Sequence, residues 1–324
     1  MFVSVKVMQF AGVLRLAKAR RGIAIMGICN VTPDSFSDGG RAFGKAAARA
    51  HIERLIAEGA DVVDIGAEST RPGAMPVAPA VQIDRALELV DWASRRTCVS
   101  IDTTSAEVAK ACVDAGAHVV NDVSLLADQG IACVCAKAGA ALVLSHARAS
   151  SANAANANDA NDVNRLGRNH VNADAEDADV VATVLAEWEK AARKAESLGV
   201  SRSALVMDPG LGFSKIPELS FELLRRTSEM VAALDVPVLI GASRKSLFTL
   251  AAPHSRPSDR LGASIAAAIH AAQNGASIVR VHDVQATAQA IDVARALSPA
   301  RQQARQTRHA ACAHASSEGR REQE

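Results

Sequence analysis

Eight short apolar runs, each followed by polar punctuation and then by a stretch with helical periodicity, constrain this chain more than any other feature. The runs are IAIMGIC (23–29), DVVDIG (61–66), CVSID (98–102), HVVNDV (118–123), ALVLSH (141–146), ALVMDP (204–209), PVLIG (237–241) and SIVRVHD (277–283). Runs of this length, rich in Val and Ile and bounded by turn formers, read as strands buried on both faces. Between them, 43–58, 79–96, 105–115, 128–138, 178–198, 217–233, 260–274 and 285–297 carry the helical period. Glycine closes several of these stretches (EGAD, DAGAH, KAGA, SLGV, QNGAS), as it does just past a helix C-terminus. Alternation of this kind implies parallel strands joined by right-handed crossovers. Eight such units is the number at which the sheet closes on itself.

An open doubly wound sheet is the competing arrangement, and the placement of polar residues separates the two. An open sheet gathers ligand groups at one switch point. Here nearly every run ends in a chemically capable side chain: Asn30, Glu68 to Arg71, Asp102, Asn121, His146, Asp208, Ser243 to Lys245, and Arg280 with His282. Residues from the C-terminal ends of all strands converge only in a closed barrel. The fold class expected is therefore α/β, a single (β/α)8 TIM barrel over residues 1–298. Two segments stand outside the repeat. Residues 147–177 are dominated by Ala, Asn and Asp with no apolar face, and predict a flexible insertion after the fifth strand. Residues 299–324 form a polar tail expected to fray.

Composition narrows the function. The 324 residues are 49% hydrophobic and 22% charged, with a formal net charge of +1. That balance gives no support for nucleic-acid binding. No apolar run approaches the roughly 18 to 20 residues of a membrane span. The N-terminal stretch is interrupted by Lys6 and Arg15 and does not read as a signal peptide. Six cysteines without CxxC spacing read as reduced thiols of a cytoplasmic protein.

The chemistry lies at the strand ends. After the first run, NVTPDSFSDGG places Asn30, Thr32, Asp34, Ser35, Ser37 and Asp38 in a long polar loop. Such a loop is either a surface connection or a scaffolded carrier of chemistry. A single strand-end Asp is an ordinary turn former. Asp102, Asp208 and Asn121 aimed into one mouth are different, because buried carboxylates require partners. A planar heterocycle with several N–H donors supplies them, and an amide offers both a donor and an acceptor to a ring edge. A second set is cationic: Arg71, Arg244, Lys245, and Arg280 with His282. Arg280 lies between Val279 and Val281, where an unpaired cation is costly. GASRKS reads as a small-residue turn opening a helix over SLFTLA, with backbone N–H groups able to bind an anion. It and RVHD follow strands seven and eight, the usual phosphate position in such barrels. The expected ligand is an aromatic heterocycle joined to a phosphate or pyrophosphate.

MGICNVTPDSFSDGG, GAESTRPG, SIDTT, NDV, DPGLGFSK, GASRKS and RVHD, in that order, resemble the motifs of the dihydropteroate synthase family. The resemblance spans roughly residues 22 to 297 apart from the insertion. It implies condensation of 6-hydroxymethyl-7,8-dihydropterin diphosphate with 4-aminobenzoate, and sensitivity of the aminobenzoate site to sulfonamides. It further implies that Asp102, Asn121, Asp208 and Lys245 hold the pterin, with Thr70, Arg71 and Arg280 at the same substrate and Phe213 against the ring. Arg280 and His282 would grip the diphosphate, and Asn30 would lie at Mg2+. The loop from Thr32 to Gly39, with Asp34 among the catalytic residues, would close over the site together with Thr70 to Gly73. Phe36, Pro72 and Ser246 would meet the aminobenzoate. Homodimers built on helices of the barrel wall are the family's common state.

One departure stands out. After His146 the family has a methionine that packs on the pterin, and here the residue is Ala147. Loss of that thioether removes apolar contact worth on the order of 1 kcal/mol. It motivates a second reading, a catalytically impaired pterin-binding paralogue. A methyltetrahydrofolate-dependent methyltransferase barrel is a third, disfavoured by the presence of NVTPDSFSDGG and SRKS.

Overall fold

In the computed structural model, residues 5–32, 40–68, 75–147 and 179–298 are described. The strands are β1 (Ala24–Asn30), β2 (Val62–Gly66), β3 (Cys98–Asp102), β4 (Val119–Asp122), β5 (Ala141–Ser145), β6 (Leu205–Asp208), β7 (Leu239–Ile240) and β8 (Ile278–Val281). All pair in parallel in the order β6-β5-β4-β3-β2-β1-β8-β7. The remaining gap, between β6 and β7, is crossed by a single bridge from Met207 to Val238. The Met207 amide also donates to the Pro237 carbonyl at 2.9 Å. The barrel is thus nearly closed, with one thin seam.

Around it lie α1 (Val5–Arg20), α2 (Gly40–Ala57), α3 (Pro79–Ser94), α4 (Ala106–Asp114), α5 (Gly130–Ala138), α6 (Val180–Ser197), α7 (Pro217–Arg225), α8 (Thr227–Ala233), α9 (Leu261–Gln273) and α10 (Val284–Leu297). Caps follow the local chemistry. Ser105 accepts the Val108 amide at the start of α4, and Asp179 accepts the Val181 amide at the start of α6. Gly139 ends α5 in the left-handed conformation, φ 61°, its N–H on the Cys135 carbonyl.

Side chains alternate along each strand, so two apolar clusters form. Outward residues such as Ile25, Val63, Val99, Ile101, Leu142, Leu144, Met207 and Val279 pack under the helices. Inward residues Ala24, Met26, Val62, Cys98, Val119, Ala141, Val143, Val206, Leu239 and Ile278 fill the lower lumen. Two positions further along, the inward residues of β2, β3, β4, β6 and β8 become Asp64, Ser100, Asn121, Asp208 and Arg280. The lumen changes from apolar to polar partway up, and that boundary is the floor of the site.

Three elements differ from the sequence expectation. Helix α1, unread in the sequence, caps the lower opening through Phe10 and Ala17, with Val13 and Leu14 against the lumen cluster. The 217–233 helix is two, α7 and α8, broken at Arg226 (φ −97°, ψ 27°). SLFTLA is not an α-helix but a five-residue 3-10 segment, Ser246–Leu250. The flexible insertion and the polar tail expected at 147–177 and 299–324 fall outside the described residues, apart from Ala147.

Candidate active site

Strand register aligns the first part of the site. Asn30 pairs with Gly66, Gly66 with Asp102, and Asp102 with Asn121, so four strands deliver residues at one level. Across the mouth, Ser145 pairs with Asp208. Arg280 starts lower on β8, opposite Met26, and its length carries the guanidinium up to the carboxylates. Its Nε donates to Asp64 Oδ2 at 2.6 Å and a terminal N–H to Asp102 Oδ2 at 2.7 Å. Asn121 Nδ2 donates to the same Asp64 oxygen at 3.2 Å. The cation read in the sequence as needing a partner therefore has two.

Asp208 is held by donors on both oxygens: Ser145 Oγ reaches Oδ2 at 3.0 Å and the Gly210 amide reaches Oδ1 at 2.8 Å. Gly210 has φ 65°, and a Cβ there would lie 1.9 Å from the His146 carbonyl oxygen, so only glycine lets the DPGLGF loop fold against β5. Lys215 ties that loop down, donating to the carbonyls of His146 (2.9 Å), Gly210 (3.1 Å) and Phe213 (3.1 Å). Phe213 is thereby presented at the mouth with Lys245 Nζ 4.4 Å from its ring centroid. The same ammonium donates to the Leu211 carbonyl at 2.5 Å.

Electrostatics follow from burial. Loss of water pushes the Asp102 carboxyl up to about 7; Arg280 opposes the rise, and Asp64 and Asp122 add to it. Burial lowers Lys245 to about 8, against the raising influence of Asp208. Burial would also lower Arg280, but Asp64 and Asp102 outweigh it and hold the guanidinium charged. Asp64 Oδ1, Asp102 Oδ1 and Asn121 Oδ1 are buried and have no hydrogen-bond partner among the described residues. The two at the rim, Asp102 Oδ1 and Asn121 Oδ1, joined through Asp64 and Arg280 and without donors, are the complement of a planar ring carrying N–H groups.

The anion side is narrower than the sequence suggested. Two of the GASRKS amides are used internally: Arg244 N on Ser264 Oγ (2.9 Å) and Lys245 N on the Ala242 carbonyl (3.2 Å). Arg244 itself turns away, at φ 61°, to hold both oxygens of Asp283 (3.0 and 2.6 Å). What remains for an anion is His282, whose Nδ1 meets Ser243 Oγ at 3.1 Å, and the unused N–H groups of Arg280. Ser246 is exposed at the head of the 3-10 segment. Glu68, grouped with the strand-end residues, is an anchor instead: it accepts the Val77 amide (2.8 Å) and Gln82 Nε2 (3.0 Å), tying the end of β2 to the start of α3. Asp34, Phe36, Thr70, Arg71 and Pro72 lie outside the described residues. Ala147, at the end of β5, is half-buried.

Asp64 and Lys215 were missed in the sequence. Both were visible as charges in apolar or loop-closing positions, in DVVDIG and in DPGLGFSK. For a metal, no group of three or more His, Cys, Asp or Glu side chains assembles among the described residues. Asn30 Oδ1 and Asp102 Oδ2 nevertheless sit over Gly66, 3.2 and 3.8 Å from where its Cβ would be. Hard oxygens of this kind, few in number, suit Mg2+, which keeps waters and substrate phosphates in its shell.

Fold and site together define a barrel built to hold a ring heterocycle, and the chain matches the family of pterin binding enzymes over residues 26–282. It is 41% identical over 278 residues to the dihydropteroate synthase of Mycobacterium leprae, covering 84% of this chain and 92% of that one. It is 38% identical over 274 residues to a probable bifunctional folylpolyglutamate synthase/dihydropteroate synthase of Haloferax volcanii; that match covers 84% of this chain but only 30% of the fused protein. Among solved structures, the Clostridium difficile dihydropteroate synthase, determined in the presence of pteroic acid, superposes with a TM-score of 0.74 at 33% identity, over 85% of this chain and 96% of that one. The Xanthomonas albilineans enzyme with 4-aminobenzoic acid gives 0.73 at 37% identity, over 85% and 93%. The chain belongs to the dihydropteroate synthases. It is a transferase of folate biosynthesis, joining a dihydropterin carried on a diphosphate to 4-aminobenzoate, and the impaired-paralogue reading is not favoured.

Proposed function

We propose that the carboxylate and amide groups on β3, β4 and β6 hold the dihydropterin ring together with Lys245, with Asp64 of β2 beneath them, and that the β8 end manages the leaving diphosphate. The observation that carries this reading is the pair of partnerless buried acceptors at the rim, Asp102 Oδ1 and Asn121 Oδ1, tied to Arg280 directly and through Asp64. In the reaction the methylene C–O bond breaks and its electron pair leaves with pyrophosphate. A C–N bond forms from the aminobenzoate nitrogen, which then gives up a proton. Positive charge that develops on the pterin methylene is stabilised by Asp102 and Asp208, fixed beforehand by Arg280, Ser145 and the Gly210 amide. The aniline nitrogen attacks in its neutral form and needs no strong base. Arg280 and His282 receive the negative charge of the leaving group. Phe213 packs on the ring and Ser246 meets the aminobenzoate. The roles of Asp34, Phe36, Thr70, Arg71 and Pro72, which lie outside the described residues, are those the family resemblance implies, and water that would trap the same cation has to be excluded.

Mg2+ at Asn30, when bound, neutralises diphosphate charge. The protein works in the cytoplasm, in keeping with five free cysteines among the described residues and no described helix long and apolar enough to cross a membrane. It pairs as a homodimer through Phe221 of α7, Leu250 of the 3-10 segment and Leu261 of α9, apolar side chains exposed on neighbouring elements. Undiminished turnover in EDTA would remove the metal, and a monomeric mass by light scattering would remove the pairing.

The central test is pyrophosphate release from dihydropterin diphosphate and Mg2+, with and without 4-aminobenzoate. Aminobenzoate-dependent release is expected, and Asp102→Ala or Lys245→Ala abolishes it. Pterin binding without turnover would overturn the synthase reading.

A further inference from the structure

The most enclosed carboxylate of the site lies below the mouth. Asp64 sits mid-strand on β2, fully buried, one layer below the level shared by Asn30, Asp102 and Asn121. Its Oδ2 receives two donors from two different strands, Arg280 Nε at 2.6 Å and Asn121 Nδ2 at 3.2 Å. A carboxylate is an acceptor only, so the face of the Asn121 amide turned toward Asp64 must be its NH2. The carbonyl oxygen, Oδ1, is therefore the face left over, and it is buried without a partner among the described residues. The same contact holds the guanidinium at Nε, which leaves its terminal N–H aligned on Asp102 Oδ2 at 2.7 Å.

We infer that Asp64 is a positioning residue that sets Asn121 as an acceptor toward the pterin ring and aims Arg280 at Asp102. The inference rests on the synthase reading above. Asp64 works through its two neighbours and needs no contact with either substrate. Without it, the Asn121 amide is free to rotate and offer a donor to a ring edge that itself carries N–H groups. Arg280 loses the contact that fixes its roll. The consequence falls on the pterin substrate and spares aminobenzoate, whose residues belong to other loops. A buried carboxylate that merely balanced charge would affect folding without separating the two substrates.

The experiment is steady-state kinetics of Asp64→Asn with both substrates varied, alongside the wild-type chain, whose turnover tests the synthase reading on its own. Replacing the carboxylate weakens two charge-assisted hydrogen bonds, so the KM for the pterin diphosphate is expected to rise about tenfold or more, with kcat reduced. The KM for 4-aminobenzoate is expected to stay within about threefold. The double exchange Asp64→Asn/Asn121→Asp reverses donor and acceptor across the same contact and restores an acceptor toward the ring. It is expected to recover part of the pterin KM lost in the single variant. An unchanged pterin KM in Asp64→Asn, an equal rise for both substrates, or a double exchange no better than the single one would overturn the inference. If Asp64→Asn does not fold, the side-chain amide of Asn121 in the wild-type chain decides by NMR. Its NH2 protons must be protected from exchange both free and with pterin bound, and solvent-like exchange in either state would overturn it.

Discussion

Burial holds Asp102 near 7 and Lys245 near 8, each away from the charge it carries in use, and both displacements bear on stability. For Asp102 the folded chain holds its proton more tightly than the unfolded chain between about 4 and 7, so this group's contribution falls as pH rises through that window. For Lys245 the unfolded chain holds the proton more tightly between about 8 and 10.5, so its contribution rises with pH there. Near pH 8 the Asp102 cost is fully present. Asp102→Asn is therefore expected to stabilise the ligand-free protein at pH 8 by an amount on the order of 1 to 3 kcal/mol, and to lose that advantage at pH 4. Thermal unfolding at the two pH values measures it, and a less stable variant at pH 8 would refute it. The legibility of these residues was uneven. Asp102, Asn121 and Asp208 stood at strand ends, where polarity changes abruptly. Asp64 did not, because Ile65 and Gly66 follow it and no turn marks it. Yet Arg280 was singled out as a buried cation needing a counter-charge, and the same argument applied to DVVDIG points to Asp64.

At the scale of elements, the strands were legible because inward and outward residues are both apolar for most of their length. Their polar ends then mark the rim. Helix α1 was not, since its apolar residues are spread among Lys6, Arg15, Lys18 and Arg20. Only contact with the lumen reveals the stripe Phe10, Val13, Leu14 and Ala17, spaced three or four apart, with Val7 buried in the outer cluster. Its ends are tied down by Lys6 on the Val113 carbonyl (2.5 Å) and by Arg20 on Asp61 (2.6 Å). Phe10 is 4% exposed, and Phe10→Ala is expected to cost about 3 kcal/mol or more of unfolding free energy, read in urea. The site lies at the opposite end of the strands, so the variant should keep kcat within about twofold at temperatures where it is folded. A large fall in kcat without destabilisation would mean that α1 serves the chemistry. The break between α7 and α8 had no periodic signal. It is accompanied by one tertiary partner, Arg226 on Asp179 (2.8 Å), and by a local bond from Thr227 Oγ1 to the Leu224 carbonyl (2.7 Å).

For the whole molecule, the count of eight units was readable, but how the ring is completed was not. Strand β7 has only two ladder residues, and Pro237 ahead of them has no amide to give. The seam between β6 and β7 thus rests on one bridge and the Met207 amide. It also divides the site: Asp208 ends the strand on one side, and Lys245 follows the strand on the other. Opening should therefore begin there. In deuterium exchange, the Met207 amide is expected to label before those of Val99 and Ile101 in the middle of the sheet, and to slow when ligand joins Asp208 to Lys245. Equal protection at both places would place the weak line elsewhere. A substrate spanning those two residues would then act as the missing rungs of the ladder, so that the enzyme is mechanically a complete ring only while it is at work.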